Sequence, residues 1–500
     1  MNLASIIEGH PDDAVALISR NRPTTYGTLR RQVGSLRAAL AAQGIGAGDR
    51  VGQLFGNERY FVVSYLAVVG LGAIAVPLNP TSPSTEIGQE LATVGASAVM
   101  VGPMARDAWR GVDRASVPTV RIVIATDGSA VESHAIEGAL TLDDYLDGEP
   151  QGVTDVDSGA VAALLFTSGT AGSPKAAMLT HGNLLANIDQ SRKSRGALAG
   201  DDVVFGVLPL FHIFGLNVVL GLTLAAGGTV VLVQRFDPST ALDTIRDRGV
   251  TVIPGAPPMW VAWTQFLEAD PTAFAHVRLA LTGAAKMPEE VARTFEARFG
   301  LPLREGYGLT EASPVVTSSV GVEPRIGSIG VPLPGVMIRL VDESGDDALD
   351  GDSGELWVKG PNVFAGYWND AEATARALTA DGWLRTGDIA IVDDGYLSIV
   401  DRAKDLVIVS GFNVYPTEVE DVLAEAPGVR EVAVVGVPHP HTGEAVKAFV
   451  VAEPGANIDE EQLIQFCTEH LARYKCPTKI LFVDALPHGL GGKLLRRELR

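Results

Sequence analysis

The sequence is poor in cysteine and in positive charge. Its two cysteines, Cys467 and Cys476, fit neither a disulfide framework nor the paired spacing of a zinc site, so we expect reduced thiols. Lysine and arginine number 39 against 60 acidic residues, which gives a formal net charge of -21. A chain with this deficit has no excess of cations to displace counterions, which excludes general binding to nucleic acid.

The sequence also lacks the marks of export and of a membrane span. Its first residues, MNLASIIEGHPDD, contain no basic stretch followed by an apolar run, which predicts no secretory signal and a cytoplasmic location. The uncharged stretch from Ile213 to Val233 has the length of a membrane span, but Gly227-Gly228 divides it into an apolar helix and a β-rich TVVLV. We expect a buried helix and a buried strand there, and no transmembrane segment, with weak peripheral membrane contact left open.

The order of apolar and polar segments predicts an α/β fold. Strand-like runs alternate with helix-like stretches between Ala160 and Gly306, which is typical of parallel sheets covered by helices. The N-terminal part repeats this alternation, with a predicted helix from Tyr26 to Ala42 and a predicted strand from Arg50 to Leu54. After Gly335 the strands become short and rich in turns, which indicates a β-rich subdomain.

The length of 500 residues predicts more than one domain. The charged run DRAKD, from Asp401 to Asp405, follows a hydrophobic strand and precedes a compact segment with its own β and α signals. We therefore place a large N-terminal domain at residues 1–400 and a small α+β domain at residues 401–500.

The segment LLFTSGTAGSPKAAMLTH runs from a hydrophobic strand into a loop of small and hydroxylated residues. Gly169 and Gly172 free the backbone to present N–H groups to a polyphosphate, and Lys175 adds a cation. The loop does not fit the Walker A pattern, which disfavours ordinary P-loop phosphoryl transfer. On these residues alone, a phosphate-binding loop and a flexible surface loop both remain open.

This loop and five further motifs resemble, in the same order, the signatures of the adenylate-forming superfamily. That superfamily includes acyl-CoA synthetases, firefly luciferase and the adenylation domains of peptide synthetases. The five further motifs are PLFH at Pro209 to His212, GYGLTE at Gly306 to Glu311, TGD at Thr386 to Asp388, DRAKD at Asp401 to Asp405, and GGK ending at Lys493. Two positions depart from the family pattern, since Ala171 stands where Thr is common and Ala176 where Gly is common.

The resemblance implies an enzyme that uses ATP and Mg²⁺ to turn a carboxylic acid into its acyl-adenylate and then passes the acyl group to coenzyme A. It implies that the phosphates are bound by Thr167, Ser168, Gly169, Thr170, Gly172, Ser173 and Lys175. It implies further nucleotide contacts from Gly283, Ala284, Gly306, Tyr307, Gly308 and Thr310. Asp388 resembles the ribose-binding aspartate of the family, with Arg402 beside it.

The same resemblance implies roles in the reaction and in domain movement. The residues implied in catalysis are Lys493, Glu311, Thr310 and His212. The magnesium ligands implied are Thr170 and Glu311, which suits a cation that prefers carboxylate and other oxygen ligands. Lys404 matches the hinge of a mobile C-terminal lid, and Ser410 and Gly411 match the tunnel for coenzyme A.

Each of these residue types also has an ordinary structural interpretation. A lone Glu311 in a loop is usually solvated, and Tyr307 after a strand can be a core residue. Lys493 could belong to a solvated basic tail, and a histidine among apolar residues, such as His212, is more often packed in a core. The flanking motifs favour the functional interpretations.

The predicted acyl pocket lies behind His212 and is lined by small or apolar residues. We expect its lining to include Phe211, Phe214, Met259, Trp260 and the strand end Gly283-Ala284-Ala285. None of them would pair with an amino group, which favours a fatty or aromatic acid over an amino acid. PLFHIFG resembles the fatty acyl-CoA synthetases, so a medium- or long-chain fatty acid is the expected substrate.

Three other functions remain open. The first is an aryl-CoA ligase similar to the plant coumarate enzymes. The second is a fatty acyl-AMP ligase that loads a carrier protein, although the insertion usual in those relatives is not evident. The third is an inactive protein that binds acyl-adenylate, an interpretation suggested by Ala171 and Ala176.

Overall fold

The computed structural model describes residues 1–126, 140–167, 175–285, 287, 289–342, 345–349, 351–402, 407–414, 416–456, 458–487 and 499. The α-helices are α1 (Tyr26–Ala42), α2 (Arg59–Gly70), α3 (Ser84–Val94), α4 (Arg106–Arg110), α5 (His181–Arg192), α6 (Thr223–Ala226), α7 (Pro238–Arg248), α8 (Pro257–Gln265), α9 (Glu289–Phe299), α10 (Ala371–Ala377), α11 (Pro416–Ala424) and α12 (Glu460–His470).

The strands are β1 (Val15–Ser19), β2 (Arg22–Thr25), β3 (Arg50–Leu54), β4 (Ile74–Pro77), β5 (Ala98–Val101), β6 (Ile122–Ala125), β7 (Leu140–Thr141), β8 (Val161–Thr167), β9 (Lys175–Thr180), β10 (Val203–Gly206), β11 (Thr229–Leu232), β12 (Val252–Gly255), β13 (Leu279–Thr282), β14 (Leu303–Gly308), β15 (Val315–Ser318), β16 (Val331–Pro332), β17 (Met337–Val341), β18 (Gly354–Lys359), β19 (Leu384–Asp393), β20 (Tyr396–Arg402), β21 (Val407–Val409), β22 (Phe412–Val414), β23 (Val429–His439), β24 (Gly443–Ala452) and β25 (Lys479–Phe482).

The first sheet has the strand order β7-β6-β5-β3-β4-β8-β9. Its central strands are parallel, with Arg50 opposite Ile74 between β3 and β4. β4 and β5 are buried along their whole length, as expected for strands covered on both faces by helices. The predicted helix over 26–42 and the predicted strand over 50–54 are confirmed as α1 and β3.

The second sheet has the order β16-β15-β14-β13-β12-β10-β11-β1-β2. Its strands β1 and β10 to β14 are parallel, whereas β2, β15 and β16 add antiparallel edges. β1 comes from the start of the chain and pairs with β11, with Leu17 opposite Val230. The hydroxyl of Tyr26, at the start of α1, donates a hydrogen bond to the carbonyl of Gly228 over 2.8 Å.

The uncharged stretch after Ile213 folds as predicted. A wide helical turn over Phe214–Leu222 continues into α6, and Gly227 ends the helix with a φ of +87°, a conformation that glycine adopts without strain. β11 follows at Thr229. No helix in the part of the chain that the structure describes is both long and apolar enough to cross a bilayer.

The third sheet follows the second along the chain, and the fourth sheet belongs to the C-terminal part of the molecule, from β21 onward. The third sheet is an antiparallel meander, β17-β18-β19-β20, and confirms the β-rich subdomain expected after Gly335. The fourth sheet has the order β22-β21-β24-β23, and β25 pairs with β24. α11 and α12 pack on it around a separate core that contains Val434, Leu463 and Cys467.

One strand differs from the predicted pattern of parallel strands. β9 returns antiparallel to β8, with Thr167 opposite Lys175. The sequence presented Lys175 as the residue that closes a loop, and the structure makes it the first residue of a strand. The reason is the short span between the two residues, which is too short for a helical crossover and long enough for a hairpin.

Candidate active site

Two strands of the second sheet end at one edge and bring the predicted nucleotide residues together. Gly283 and Ala284 follow β13, while Gly306, Tyr307 and Gly308 end β14. In open α/β sheets, ligands bind in the crevice beyond the carboxyl ends of the strands. Ala284 has a φ of +69°, a conformation uncommon for residues other than glycine and often found at functional sites.

Tyr307 connects this edge to the third sheet. Its hydroxyl donates a hydrogen bond to Oδ2 of Asp388 over 2.6 Å, and Asp388 is buried. Asp388 lies in β19 directly opposite Arg402 of β20, so the TGD and DRAKD motifs meet in one ladder. The structure therefore brings the aromatic ring and the acceptor carboxylate predicted for a nucleoside to one place.

Lys175 and Glu311 approach each other through a residue that the sequence did not single out. The ammonium of Lys175 lies 5.4 Å from the centroid of the Tyr367 ring. The hydroxyl of Tyr367 donates to Oε1 of Glu311 over 2.7 Å. The sequence signal for Tyr367 was the aromatic pair Tyr367-Trp368 in a loop, and Trp368 is anchored there by its backbone N–H, which donates to the carbonyl of Ala176 over 2.8 Å.

Several predicted site residues lie outside the described ranges. They are Ser168, Gly169, Thr170, Gly172 and Ser173 of the phosphate loop, Lys404 of the hinge, and Lys493 of the tail. Arg402 is described as a strand residue through its backbone pairing. Thr167 and Lys175, which flank the phosphate loop, are joined by a hydrogen bond of 3.4 Å from the Thr167 hydroxyl to the Lys175 carbonyl.

His212 lies at the start of the wide helical turn and on the wall of a cavity. Its Nδ1 accepts a hydrogen bond from the backbone N–H of Phe214 over 3.3 Å. Burial lowers the pKa of the imidazole to about 4, so it is neutral at neutral pH. A neutral imidazole suits the wall of an apolar pocket.

The cavity behind His212 has a volume of about 130 Å³. Its upper part is formed by the nucleotide motif, from Gly306 to Thr310, together with Gly283 and Ala284. Its lower part is formed mainly by apolar side chains, and Arg304, Ser191 and Ser194 are its polar members. The apolar side chains are Leu198, Ile213, Phe214, Val218, Leu222, Leu279, Leu281, Val320 and Leu333. No carboxylate is among the described residues that line it.

The predicted lining is right in part and wrong in part. Phe214, Gly283 and Ala284 line the cavity, as expected. Met259 and Trp260 do not, because α8 turns them into the core, where Trp260 packs against Phe295 with ring centroids 5.1 Å apart. Phe211 is also absent from the lining and stacks instead on Phe412.

Residues of the C-terminal part reach the mouth of this cavity. Gly411 has a φ of +84°, and a Cβ at this position would lie 3.3 Å from that of Ala256 and 3.4 Å from that of Ala284. Phe412 lies edge-on to His212 at 6.0 Å and stacks on Tyr474 at 4.4 Å. Phe412 is a second residue that the sequence did not single out, since its only signal was its place after the predicted Ser410-Gly411.

A buried charged cluster joins the C-terminal part to α3. Lys475 donates to Oε1 of Glu86 over 3.0 Å and to Oε1 of Glu418 over 2.8 Å, and Glu90 lies close by. We call these four residues the Lys475 cluster. Burial by itself would lower the pKa of Lys475, but Tyr474, Glu86 and Glu418 outweigh it and hold that pKa well above its usual range. Burial raises the pKa of Glu90 and of Glu418.

Comparison with known proteins places this site in a family. Residues 3–368 match the family described as AMP-binding enzyme, and residues 418–493 match its C-terminal domain. A feruloyl-CoA synthase from Amycolatopsis is 38% identical over 479 residues, 95% of this chain and 93% of the relative. A long-chain-fatty-acid–CoA ligase from Escherichia coli is 35% identical over 520 residues, 98% of this chain and 91% of the relative.

Solved structures agree in fold and differ in how well the whole chain superimposes. An o-succinylbenzoate CoA synthetase (MenE) from Bacillus subtilis with its product analogue is 29% identical and has a TM-score of 0.87 over 100% of this chain and 98% of its own. A malonyl-CoA ligase with methylmalonyl-CoA and AMP is 32% identical and has a TM-score of 0.82 over 97% of this chain and 99% of its own. ATP-bound MatB from Rhodopseudomonas palustris is 35% identical and has a TM-score of 0.73 over 100% of this chain and 98% of its own.

The chain therefore belongs to the AMP-binding enzyme family, the adenylate-forming superfamily whose motifs its sequence carries. Within it the chain is an AMP-forming acid–thiol ligase, the class to which its full-length relatives belong. The predicted fold, with a large α/β part and a smaller C-terminal part, is confirmed by these structural neighbours.

Proposed function

We propose that the protein is an ATP-dependent acyl-CoA ligase that joins a hydrophobic carboxylic acid to coenzyme A through an acyl-adenylate. The observation that carries this proposal is the continuity of one cavity. Its upper part is built from the nucleotide motif at Gly306 to Thr310, and its lower part is mainly apolar and free of carboxylates among the described residues. Such a cavity holds an acyl group directly beneath a bound nucleotide.

In the first step the carboxylate oxygen of the acid attacks the α-phosphorus of ATP, and pyrophosphate leaves. The acid is already ionised at neutral pH, so the step needs alignment and charge neutralisation rather than a general base. Lys175, Thr310 and the phosphate loop would hold the phosphates, and Lys493 would stabilise the charge that develops at the reacting oxygens. Asp388 and Arg402 would hold the ribose, and Tyr307 would stack on the base.

Magnesium fits the donor set of this site. Glu311 offers a carboxylate next to Thr310, and Mg²⁺ prefers one or two carboxylates together with phosphate oxygens and waters. Glu311 and Thr170 would hold the ion, which would neutralise phosphate charge. Tyr367 would fix the orientation of Glu311, since its hydroxyl donates to Oε1 over 2.7 Å.

In the second step the sulfur of coenzyme A attacks the acyl carbon, the bond to the phosphate oxygen breaks, and AMP leaves. We propose that residues 1–400 and 401–500 are the two domains and that the smaller is a lid that turns about Lys404 between the steps. Its present position supports thiol transfer, because Gly411, of the predicted tunnel pair Ser410-Gly411, lines the cavity. The TM-scores point the same way, since the complexes with CoA products superimpose better than ATP-bound MatB despite lower identity.

The substrate is proposed at two levels. The acid is largely hydrophobic, because most of the lower cavity wall is apolar. A medium- or long-chain fatty acid is proposed from PLFHIFG at residues 209–215, with an aromatic acid as the alternative. The relatives support both, since one is described as acting on long-chain fatty acids and another as a feruloyl-CoA synthase.

Pyrophosphate release, measured across acids with and without coenzyme A, tests the proposal. We expect release that depends on the acid, and acyl-CoA and AMP when coenzyme A is present. Release without any thioester would instead indicate a ligase that loads a carrier protein, and no release with any acid would indicate an inactive protein.

Lys493→Ala tests the assignment of the adenylation lysine. We expect it to lower adenylation at least a hundredfold, by analogy with the removal of one preorganised donor. It should still form thioester from supplied acyl-adenylate. Arg496→Ala, in the same basic tail, is the matched control and should change neither half-reaction. Equal loss of both half-reactions in Lys493→Ala would contradict its assigned role.

A further inference from the structure

The lower end of the cavity is not uniformly apolar. Arg304 is one of the lining residues, as are Ser191 and Ser194 and leucines that include Leu198 and Leu281. Arg304 is on β14 and pairs with Leu281 of β13, on the same face of the sheet as Gly306 and Gly308. A guanidinium therefore stands in the wall of the chamber proposed to hold the acyl group.

The position of Arg304 along the strand sets its distance from the reacting end. Gly306, at the level of Gly283, belongs to the nucleotide motif, and Arg304 precedes it by two residues. Two residues of a strand span on the order of 7 Å. The guanidinium lies still further down, because one of its nitrogens donates to the carbonyl of Val322 over 2.9 Å, and Val322 lies beyond the strand that pairs with Gly306.

Most N–H groups of the Arg304 guanidinium have no hydrogen-bond acceptor among the described residues. The neighbouring Arg278 provides a comparison, because its guanidinium donates to several acceptors. Arg278, immediately before β13, donates to both oxygens of Asp202 and to the carbonyls of Gly196 and Ala197. Arg304 has five N–H donors. In the part of the chain that the structure describes, its hydrogen-bond acceptor is the carbonyl of Val322, and no carboxylate lies within ion-pair distance of it.

A fully apolar ligand would suit this end of the cavity badly. It would cover the guanidinium and the two serine hydroxyls, remove water from them and offer no acceptor in return. Leaving such groups unsatisfied is unfavourable, and hydrogen bonds to a charged donor contribute more than neutral ones.

We infer that Arg304 is a specificity-determining residue, and that the preferred acids carry an oxygen acceptor at the end remote from the reacting carboxylate. A second carboxylate, a keto group or a phenolic oxygen would meet this need. The inference rests on the proposed function, because it assumes that the acyl group occupies this cavity. It narrows the substrate class from hydrophobic acids in general to acids with an apolar middle and a polar far end.

The test compares kcat/KM for acids matched in shape with and without the remote oxygen: suberic against octanoic acid, and para-coumaric against cinnamic acid. The wild-type enzyme should prefer the oxygenated member of at least one pair by about tenfold to a hundredfold, as expected for a hydrogen bond to a charged group. The pair of acids with the larger ratio of kcat/KM values shows whether Arg304 prefers a carboxylate or a phenolic oxygen. Arg304→Leu should abolish or reverse that preference, mainly through KM, and Arg304→Lys should retain part of it.

Arg293→Leu, on the exposed face of α9, is the matched control and should leave every ratio unchanged. A wild-type preference for the unsubstituted acids in both pairs would overturn the inference, even if the Arg304 variants failed to fold. So would an Arg304→Leu enzyme that keeps the wild-type ratios. Absence of acid-dependent pyrophosphate release from the wild type would instead overturn the proposed function, which keeps the two failures distinguishable.

Discussion

The cavity wall and the Lys475 cluster both bury titratable side chains, but they do so in opposite ways. In the wall, His212 is neutral, because burial lowers its pKa to about 4. In the Lys475 cluster, one cation faces three carboxylates, and Oε2 of Glu86, Glu90 and Glu418 has no hydrogen-bond partner among the described residues. The imidazole of His212 carries no charge at neutral pH, whereas the cluster holds charge that is only partly compensated.

This difference implies opposite responses to pH. Unfolded His212 binds a proton below its ordinary pKa of about 6.5, while the folded form stays neutral down to about 4, so its contribution to stability is full above that window and is lost as pH falls through it. If the proposed lid undocks, the raised pKa of Glu90 means that its docked position binds protons more readily than its undocked one. Docking of the lid is therefore expected to weaken as pH rises, while the stability of the wall increases.

The largest effect is expected when the cation is removed from the cluster. Lys475→Met would leave three buried acidic residues facing one another without compensation, and breaking a buried ion pair costs about 3–5 kcal/mol. Because Glu86 and Glu90 lie on α3 and Glu418 and Lys475 on the lid, the penalty falls on the docked position. We expect thioester formation from supplied acyl-adenylate to fall at least a hundredfold, with adenylation largely retained.

Lys479→Met is the control for that variant. Lys479 lies on the same lid and pairs with Glu460 over 3.1 Å, but its side chain is 57% exposed. Exposed ion pairs contribute little, so both half-reactions should stay near wild type. If Lys475→Met behaved like Lys479→Met, the cluster would not hold the lid in position.

A smaller effect is expected in the cavity wall. His212→Asn keeps an acceptor for the N–H of Phe214 and removes the titrating ring. The wild type should lose about 3 kcal/mol of unfolding free energy between about pH 7 and pH 4 through this group, and the variant should lack that loss. Denaturant unfolding across this range measures it. The exposed His276→Asn is the control, and an acid response that is the same in all three proteins would exclude His212 as its source.

The smallest effect concerns the turn where the lid meets the wall. Gly411→Ala would place a Cβ 3.3 Å from that of Ala256 in a backbone with a φ of +84°, and we expect thioester formation about tenfold slower with adenylation unchanged. Two causes could slow Gly411→Ala, namely strain in the backbone and contact of the new Cβ with Ala256. Gly455→Ala separates them, because Gly455 has a similar φ of +81° but no atom within 4 Å of an added Cβ. Equal slowing in both variants would attribute the effect to backbone strain rather than to contact with the wall.

Much of the fold could be predicted because it depends on local patterns. The helix over 26–42, the strand over 50–54 and the helix–glycine–strand order after Ile213 follow from periodicity and from glycine at a left-handed position. The direction of β9 could not be predicted, since Lys175 looks the same at the end of a loop and at the start of a strand. Pairing direction is decided by distant partners rather than by the residues themselves.

The candidate site also combines features that could be predicted from the sequence with features that could not. Tyr307, Asp388 and Glu311 could be identified from motifs, but the hydrogen bonds that Tyr307 and Tyr367 donate to the two carboxylates depend on the approach of the third sheet and a loop. Trp260 was placed in the cavity wall by its apolar character, yet the orientation of α8 turns it into an aromatic core. Apolarity indicates that a residue is buried and does not indicate which surface covers it.

The pairing of β1 with β11 has a consequence for how the chain assembles. Residues 15–25 form the outer hairpin of the second sheet, and their partner strand begins at Thr229, more than two hundred positions later. During synthesis this hairpin must remain without its neighbour until that strand has emerged, because chains fold from the N-terminus as they are made. Contacts of such long sequence separation form slowly. Residues 15–25 are thus made early but are among the last parts of the second sheet to reach their final position.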